Sequence, residues 1–159
     1  MFEAIMIEVR EATPDDAPRV SELLTEILVS WSSQRLRSPQ HVLGNYIEHP
    51  DRIRCSIAQD ETGQILGFQS LKIASDGNPY GLPTGWGIIG TYVSSDAGRK
   101  GVGKALFASS WEAAVAAGLS QIDATIGEDN DPALSYYGNL GFETYRVKPG
   151  AICKKLKLK

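Results

Sequence analysis

The chain has 159 residues, 42% hydrophobic and 22% charged, with a formal net charge of −3, which suits one domain burying about two thirds of its unfolded surface. The acidic balance argues against nucleic acid as a partner; Cys55, Cys153, His41 and His49 have no metal-ligand or redox spacing, which leaves reduced core cysteines and no metal. The start lacks a basic stretch before an apolar core, and no apolar run approaches twenty residues, so the expectation is a cytoplasmic protein without membrane contact.

Residues 5–11 alternate Ile5, Ile7 and Val9 with Met6, Glu8 and Arg10, the period of a strand with one buried face. Thr13 reads as a helix N-cap, with Pro14 at the first helical position and Asp15 and Asp16 on the positive end of the dipole. Ala17, Val20, Leu24, Ile27, Leu28 and Trp31 recur at steps of three and four and predict one core-facing stripe. Polar residues 32–37 break the pattern, and Ser38-Pro39 opens a second helix with Val42, Leu43, Tyr46 and Ile47, which Pro50 ends. Ile53, Cys55 and Ile57 alternate with polar or small residues, Asp60 to Gly63 turn the chain, and residues 65–73 return as the second strand of a hairpin. Residues 75–85 are too rich in Gly and Pro for a regular element. A loop of that length invites a substrate-side role, in which Tyr80 and Leu82 cover a site or meet a second copy in a homodimer.

Residues 88–93 form an apolar strand that leads into Gly98-Arg99-Lys100-Gly101-Val102-Gly103-Lys104 and then an alanine-rich helix through Leu106, Phe107, Trp111, Ala113, Ala114 and Ala117, capped at Gly118. Glycines there let main-chain N–H groups approach a bulky anion, and the helix opening at Val102 adds its own unsatisfied N–H groups. The spacing is one residue from a nucleotide P-loop, but Ala105 stands where the Mg²⁺-binding hydroxyl belongs. Downstream, Ile122, Ala124 and Ile126 mark a buried strand with Asp123 and Thr125 on its other face. Asp131 and Pro132 read as N-cap and first residue of a short helix ending at Gly141, and residues 142–159 read as a terminal hairpin around Pro149-Gly150.

Taken as [QR]-x-x-G-x-[GA], residues 98–103 resemble the pyrophosphate loop of the GNAT acetyltransferase superfamily. Residues 130–142 fill every named position of that family's N-x-x-A-x-x-x-Y-x-x-x-G-F signature with Asn130, Ala133, Tyr137, Gly141 and Phe142. The resemblance implies a single α/β domain over residues 1–159, with a mixed, mostly antiparallel central sheet flanked by helices. It also implies acetyl-CoA as co-substrate and transfer of its acetyl group to the primary amine of a small molecule by direct attack in a ternary complex. By the same resemblance, main-chain groups of Gly98, Arg99, Lys100, Gly101, Val102, Gly103 and Lys104 cradle the pyrophosphate, Tyr92 and Val93 pair with the pantetheine arm, and a Val93 N–H polarises the acetyl carbonyl. Asn130 would contact the pantetheine or adenylate portion, and Tyr137 would give its proton to the departing thiolate.

Two positions depart from the family pattern. Gly98 replaces the usual Gln or Arg, and residues 86–93 lack the glutamate that many relatives use as general base, leaving Glu128, Asp123 or a water relay. Trp31, Arg35, Arg37 and Tyr46 fall where the family's first two helices border the acceptor, against the simpler reading that the aromatics are core and the arginines solvated. A simpler reading of Tyr137 also exists, a ring packed in the core with Tyr136 as its exposed neighbour. A protein acetyltransferase with an open groove, and a CoA-binding sensor without catalysis, are the alternative functions.

Overall fold

In the computed structural model, which describes residues 6–97 and 101–158, seven strands make one sheet. They are β1 (Glu8–Glu11), β2 (Arg52–Gln59), β3 (Ile65–Ile73), β4 (Gly87–Val93), β5 (Gln121–Gly127), β6 (Glu143–Lys148) and β7 (Ala151–Lys157). Their spatial order is β1-β2-β3-β4-β5-β7-β6. Every neighbouring pair is antiparallel except β4 and β5, which run parallel. The helices are α1 (Ala17–Ser30), α2 (Pro39–Val42), α3 (Val102–Ala116) and α4 (Asp131–Asn139). Among the described residues no helix is long and apolar enough to cross a membrane.

Strand alternation distributes the core over the two faces of the sheet. On one face Val20, Leu24, Ile27 and Leu28 of α1 pack with Ile47, Ile57, Phe68 and Tyr92. On the other, Phe107 and Ala114 of α3 and Tyr137 of α4 pack with Leu71, Ile89 and Ile122. Both cysteines are buried and free.

Four local readings change. A 3-10 turn, Pro14–Asp16, precedes α1, and Asp16 is a buried clamp as well as a dipole charge. Its carboxylate accepts from Thr13 N at 2.8 Å and from Arg10 Nη1 and Nη2, both at 2.8 Å. The Arg10 hydrogen bond holds its pKa down to about 2. The second helix is one α turn that widens into a π-helical turn, Leu43–Ile47, which inserts Tyr46 and Ile47 into the core. At α4 the cap is Asn130, not Asp131: Asn130 Oδ1 accepts from Ala133 N at 3.2 Å, and Pro132 is the second helical residue. Trp31, the last member of the sequence stripe, stands beyond the end of α1 and is 44% exposed. The core covered by α1 ends a turn earlier.

Candidate active site

β4 and β5 pair through Gly87 with Ile122 and Ile88 with Asp123; among the described residues the pairing ends there. Beyond Ile88 the two strands diverge, and alternate N–H and C=O groups of the rest of β4 face an opening instead of a strand. A cavity of about 870 Å³ occupies this opening, lined by residues 88–92 of β4, by Asp123 and residues 125–127 of β5, and by Tyr137 of α4. It reaches across the α1 and α2 face to Trp31, Arg35, Asn45, Tyr46, Lys72 and Tyr80.

Tyr137 is 4% exposed, and its hydroxyl lies 2.7 Å from Thr91 Oγ1 on the cavity wall. Burial pushes its pKa well above the ordinary tyrosine value, so the phenol stays protonated. Behind Thr91 sits Gln69, fully buried, whose Nε2 donates to Thr91 Oγ1 at 2.9 Å and to the Tyr136 oxygen at 3.0 Å. Gln69 Oε1 accepts from Ser110 Oγ at 2.5 Å. The orientation of this amide is dictated by its neighbours. Tyr136 commits its one hydroxyl proton to the Gly103 carbonyl at 2.6 Å, so its oxygen can only accept from Gln69. Tyr136 is therefore half-buried and ties the first turn of α3 to β3, which corrects its expected exposure. Burial raises its pKa to about 12.

At the opposite end an aromatic cluster carries two cations. Phe68 stacks on Tyr92 with ring centroids 4.8 Å apart, and Tyr46 meets Tyr92 edge-on at 6.0 Å. Arg35 Nη2 donates to the Tyr92 hydroxyl at 2.8 Å, and Lys72 Nζ stands 5.5 Å from the centre of the Tyr46 ring. On the adjacent wall Asp123, 1% exposed, accepts from Tyr145 Oη at 2.5 Å and Thr125 Oγ1 at 2.9 Å. Asn78 braces the neighbouring loop: its Nδ2 donates to the Ser75 and Leu82 carbonyls at 3.0 and 2.8 Å. This leaves Leu82 buried and Tyr80 on the cavity.

The cavity thus gathers Tyr92, Asn130 and Tyr137 from the cofactor and catalytic residues expected from sequence, and Trp31, Arg35 and Tyr46 from the acceptor candidates. It also contains both candidate bases, Asp123 on the wall and Glu128 at the exposed rim. Arg37 turns back onto its own loop, donating from Nε to the Arg35 carbonyl at 3.2 Å, and is not part of the lining. Val93 and Val102 pack together with Ala97 and Leu106 under α3, while Gly101 and Lys104 are exposed at its start. Gly98, Arg99 and Lys100 lie outside the described residues. Sequence reasoning passed over Lys72, Gln69 and Thr91. The available signal was a glutamine and a lysine within the otherwise small and apolar β3, since polar side chains on a central strand need a partner or a task.

The family profile described as acetyltransferase (GNAT) matches residues 19–142. Among curated proteins, a mycothiol acetyltransferase of Renibacterium salmoninarum is 37% identical over 90 residues, covering 54% of this chain and 25% of that protein. The chain spans about a quarter of the length of the curated relatives it matches. Among solved structures, a GCN5-related N-acetyltransferase from Kribbella flavida superposes with a TM-score of 0.80 at 20% identity, over 96% of this chain and 98% of that one. The yncA protein of Salmonella typhimurium, solved with its cofactor acetyl-CoA, gives 0.77 at 20% identity, over 96% of this chain and 94% of that one. These two likenesses speak for the fold, and the profile, which takes in most of the chain from α1 to the glycine and phenylalanine after α4, assigns it: the chain belongs to the acetyltransferase (GNAT) family.

Proposed function

We propose that this chain moves the acetyl group of acetyl-CoA to the primary amine of a small molecule by direct attack within a ternary complex. The observation that carries the reading is the Thr91–Tyr137 hydroxyl pair on the wall of the cavity between the diverging ends of β4 and β5. The yncA neighbour solved with acetyl-CoA supports the donor, and the relatives named for mycothiol support a small acceptor.

The residues present fit coenzyme A. Gly101 caps α3 at φ +82°, and among the described residues nothing fills the space on its Cβ side and no side chain caps the helix, which makes the N–H groups of the first turn candidates to hold a phosphate. Gly103 and Lys104 belong to the same turn, and Asn130, on the cavity rim, keeps its Nδ2 donor after Oδ1 has capped α4. The exposed edge of β4 offers the main-chain groups of Thr91 and Val93 to an amide-bearing arm and an N–H to stabilise charge developing on a carbonyl oxygen, whereas Tyr92, expected to share this role, turns its main-chain groups to Phe68 of β3.

Acetyl transfer forms a C–N bond, breaks a C–S bond and returns a proton to sulfur. Gln69 Nε2 occupies one of the two acceptor sites of Thr91, and the mechanism uses the arrangement in which Thr91 donates its proton to the Tyr137 oxygen and the phenol proton is free for the cavity. Tyr137 then protonates the leaving thiolate while Thr91 supports the oxygen it vacates. Asp123 or Glu128, or water between them, takes the proton from the amine.

Titration calorimetry followed by thiol release tests this. Acetyl-CoA is expected to bind and Mg²⁺-ATP to give no heat, because Ala105 offers no hydroxyl to the metal. Thiol release is expected to depend on an added amine. Tight ATP binding without CoA binding would overturn the donor, and CoA binding with no amine-dependent release would leave a binding domain in place of an enzyme.

A further inference from the structure

Arg35 and Lys72 both line the cavity, and among the described residues neither forms an ion pair. Lys72 is 9% exposed and has one polar contact, to Asn45 Oδ1 at 3.4 Å. Burial depresses its pKa, the response of an ammonium without sufficient compensation. The carboxylate that acts on it, Asp51, accepts from Ser75 Oγ at 2.9 Å and is not in the cavity lining. The two cations reach one region: Arg35 bonds Tyr92, the Tyr92 and Tyr46 oxygens are 3.4 Å apart, and Lys72 stands over Tyr46. The half-exposed His41, packed edge-on against Tyr46, has its pKa lowered by burial and by both cations. A buried charge without a counter-charge is costly unless a ligand provides one.

Across the sheet the register sets the opposite charge. Lys72, Ile88 and Asp123 occupy one row of β3, β4 and β5, so Lys72 and Asp123 stand two strand spacings apart at Cα, about 9–10 Å. A cationic end and an anionic wall thus face one cavity. We propose that the acceptor is a zwitterion, a small molecule carrying a carboxylate as well as its amine. Arg35 and Lys72 hold the carboxylate, and Asp123 draws the amine toward Thr91 and Tyr137. This rests on the acetyltransferase reading and names its substrate class.

The test is a thiol-release panel with acetyl-CoA in which each amine is offered with and without its carboxylate: L-methionine against 3-(methylthio)propylamine, L-leucine against 3-methylbutylamine, L-tryptophan against tryptamine, with spermidine as a purely cationic acceptor. The expected result is turnover of at least one α-amino acid, with kcat/KM above that of its α-decarboxylated partner. In Lys72→Met that ratio is expected to fall about 10- to 100-fold through KM, as for a lost charged hydrogen bond, and to recover in part in Lys72→Arg. Preference for spermidine or for the decarboxylated amines overturns the zwitterion while sparing acetyl transfer; absence of acetyl-CoA binding overturns the enzyme reading itself. Should no amine turn over, binding of N-acetyl-L-methionine to the CoA complex decides, followed by ligand-observed NMR in the wild type and Lys72→Met. Binding lost in the variant supports the proposal, and no binding to the wild type, or equal binding to both, overturns it. A thermal melt of each variant checks the fold.

Discussion

At the scale of single residues the site depends on which proton goes where. Tyr137→Phe keeps the ring against Phe142, 5.2 Å between centroids, and removes only the hydroxyl. The expected outcome is turnover lower by about 10²-fold with acetyl-CoA affinity retained, measured where chemistry limits the rate. An undiminished rate would remove Tyr137 from the mechanism. Because burial raises the phenol pKa above its ordinary value of 10.0, Tyr137 remains an acid throughout the working range. The kcat profile should therefore rise with pH as the amine loses its proton and show no falling limb below pH ~10. Thr91 acts through Tyr137. Thr91→Val preserves the branched shape but removes the hydroxyl partner at 2.7 Å, so kcat should drop about tenfold with little change in acceptor KM, and Thr91→Ser should restore it.

At the scale of elements, the two ends of the chain's main helices are built differently. The start of α1 is fastened by Asp16, whose folded pKa of about 2 lies below its ordinary 3.8. A depressed carboxylate stabilises the fold above its unfolded pKa, and that stability disappears as pH falls through the folded value. The wild type should lose about 2 kcal/mol of unfolding free energy between pH ~4 and pH ~2 that Asp16→Asn never had, readable from urea melts across that window. Equal pH dependence of the two proteins would show that the Arg10–Asp16 pair contributes nothing. The start of α3 contains two glycines with separate reasons. Gly101 adopts φ +82° beside open space, so Gly101→Ala strains the backbone by about 1–2 kcal/mol and should weaken acetyl-CoA binding at modest thermal cost. At Gly103 an added Cβ would come within 2.6 Å of Tyr136 Cε1, so Gly103→Ala should chiefly lower the melting temperature. From sequence both glycines are expected to serve the anion, and at Gly103 the packing of Tyr136 is a second reason for the glycine. The reverse ranking of the two variants would make the anion the main reason at Gly103.

At the scale of the whole molecule, the sheet closes through antiparallel pairs on both sides of a single parallel junction, and that junction is where it opens. The sequence by itself determined the element order, because hydrophobic period, prolines after caps and glycines at helix ends are local signals that each segment states for itself. It also determined the family, since the spacing from Asn130 to Phe142 and the glycines at 101 and 103 are linear patterns. Only the tertiary structure decided the end of the cavity proposed for the acceptor. Lys72 is one polar residue on a strand until the register sets it in a row with Asp123, fifty-one positions away in the chain, and beside an aromatic cluster drawn from the π-helical turn after α2, from β3 and from β4. Gln69 likewise acquires a role only when Ser110, Thr91 and Tyr136 arrive from three other elements to satisfy its amide. Hydrophobic patterning fixes which side of each element is buried. Which polar groups then meet across the sheet depends on strand order and register, long-range properties that no window of sequence contains.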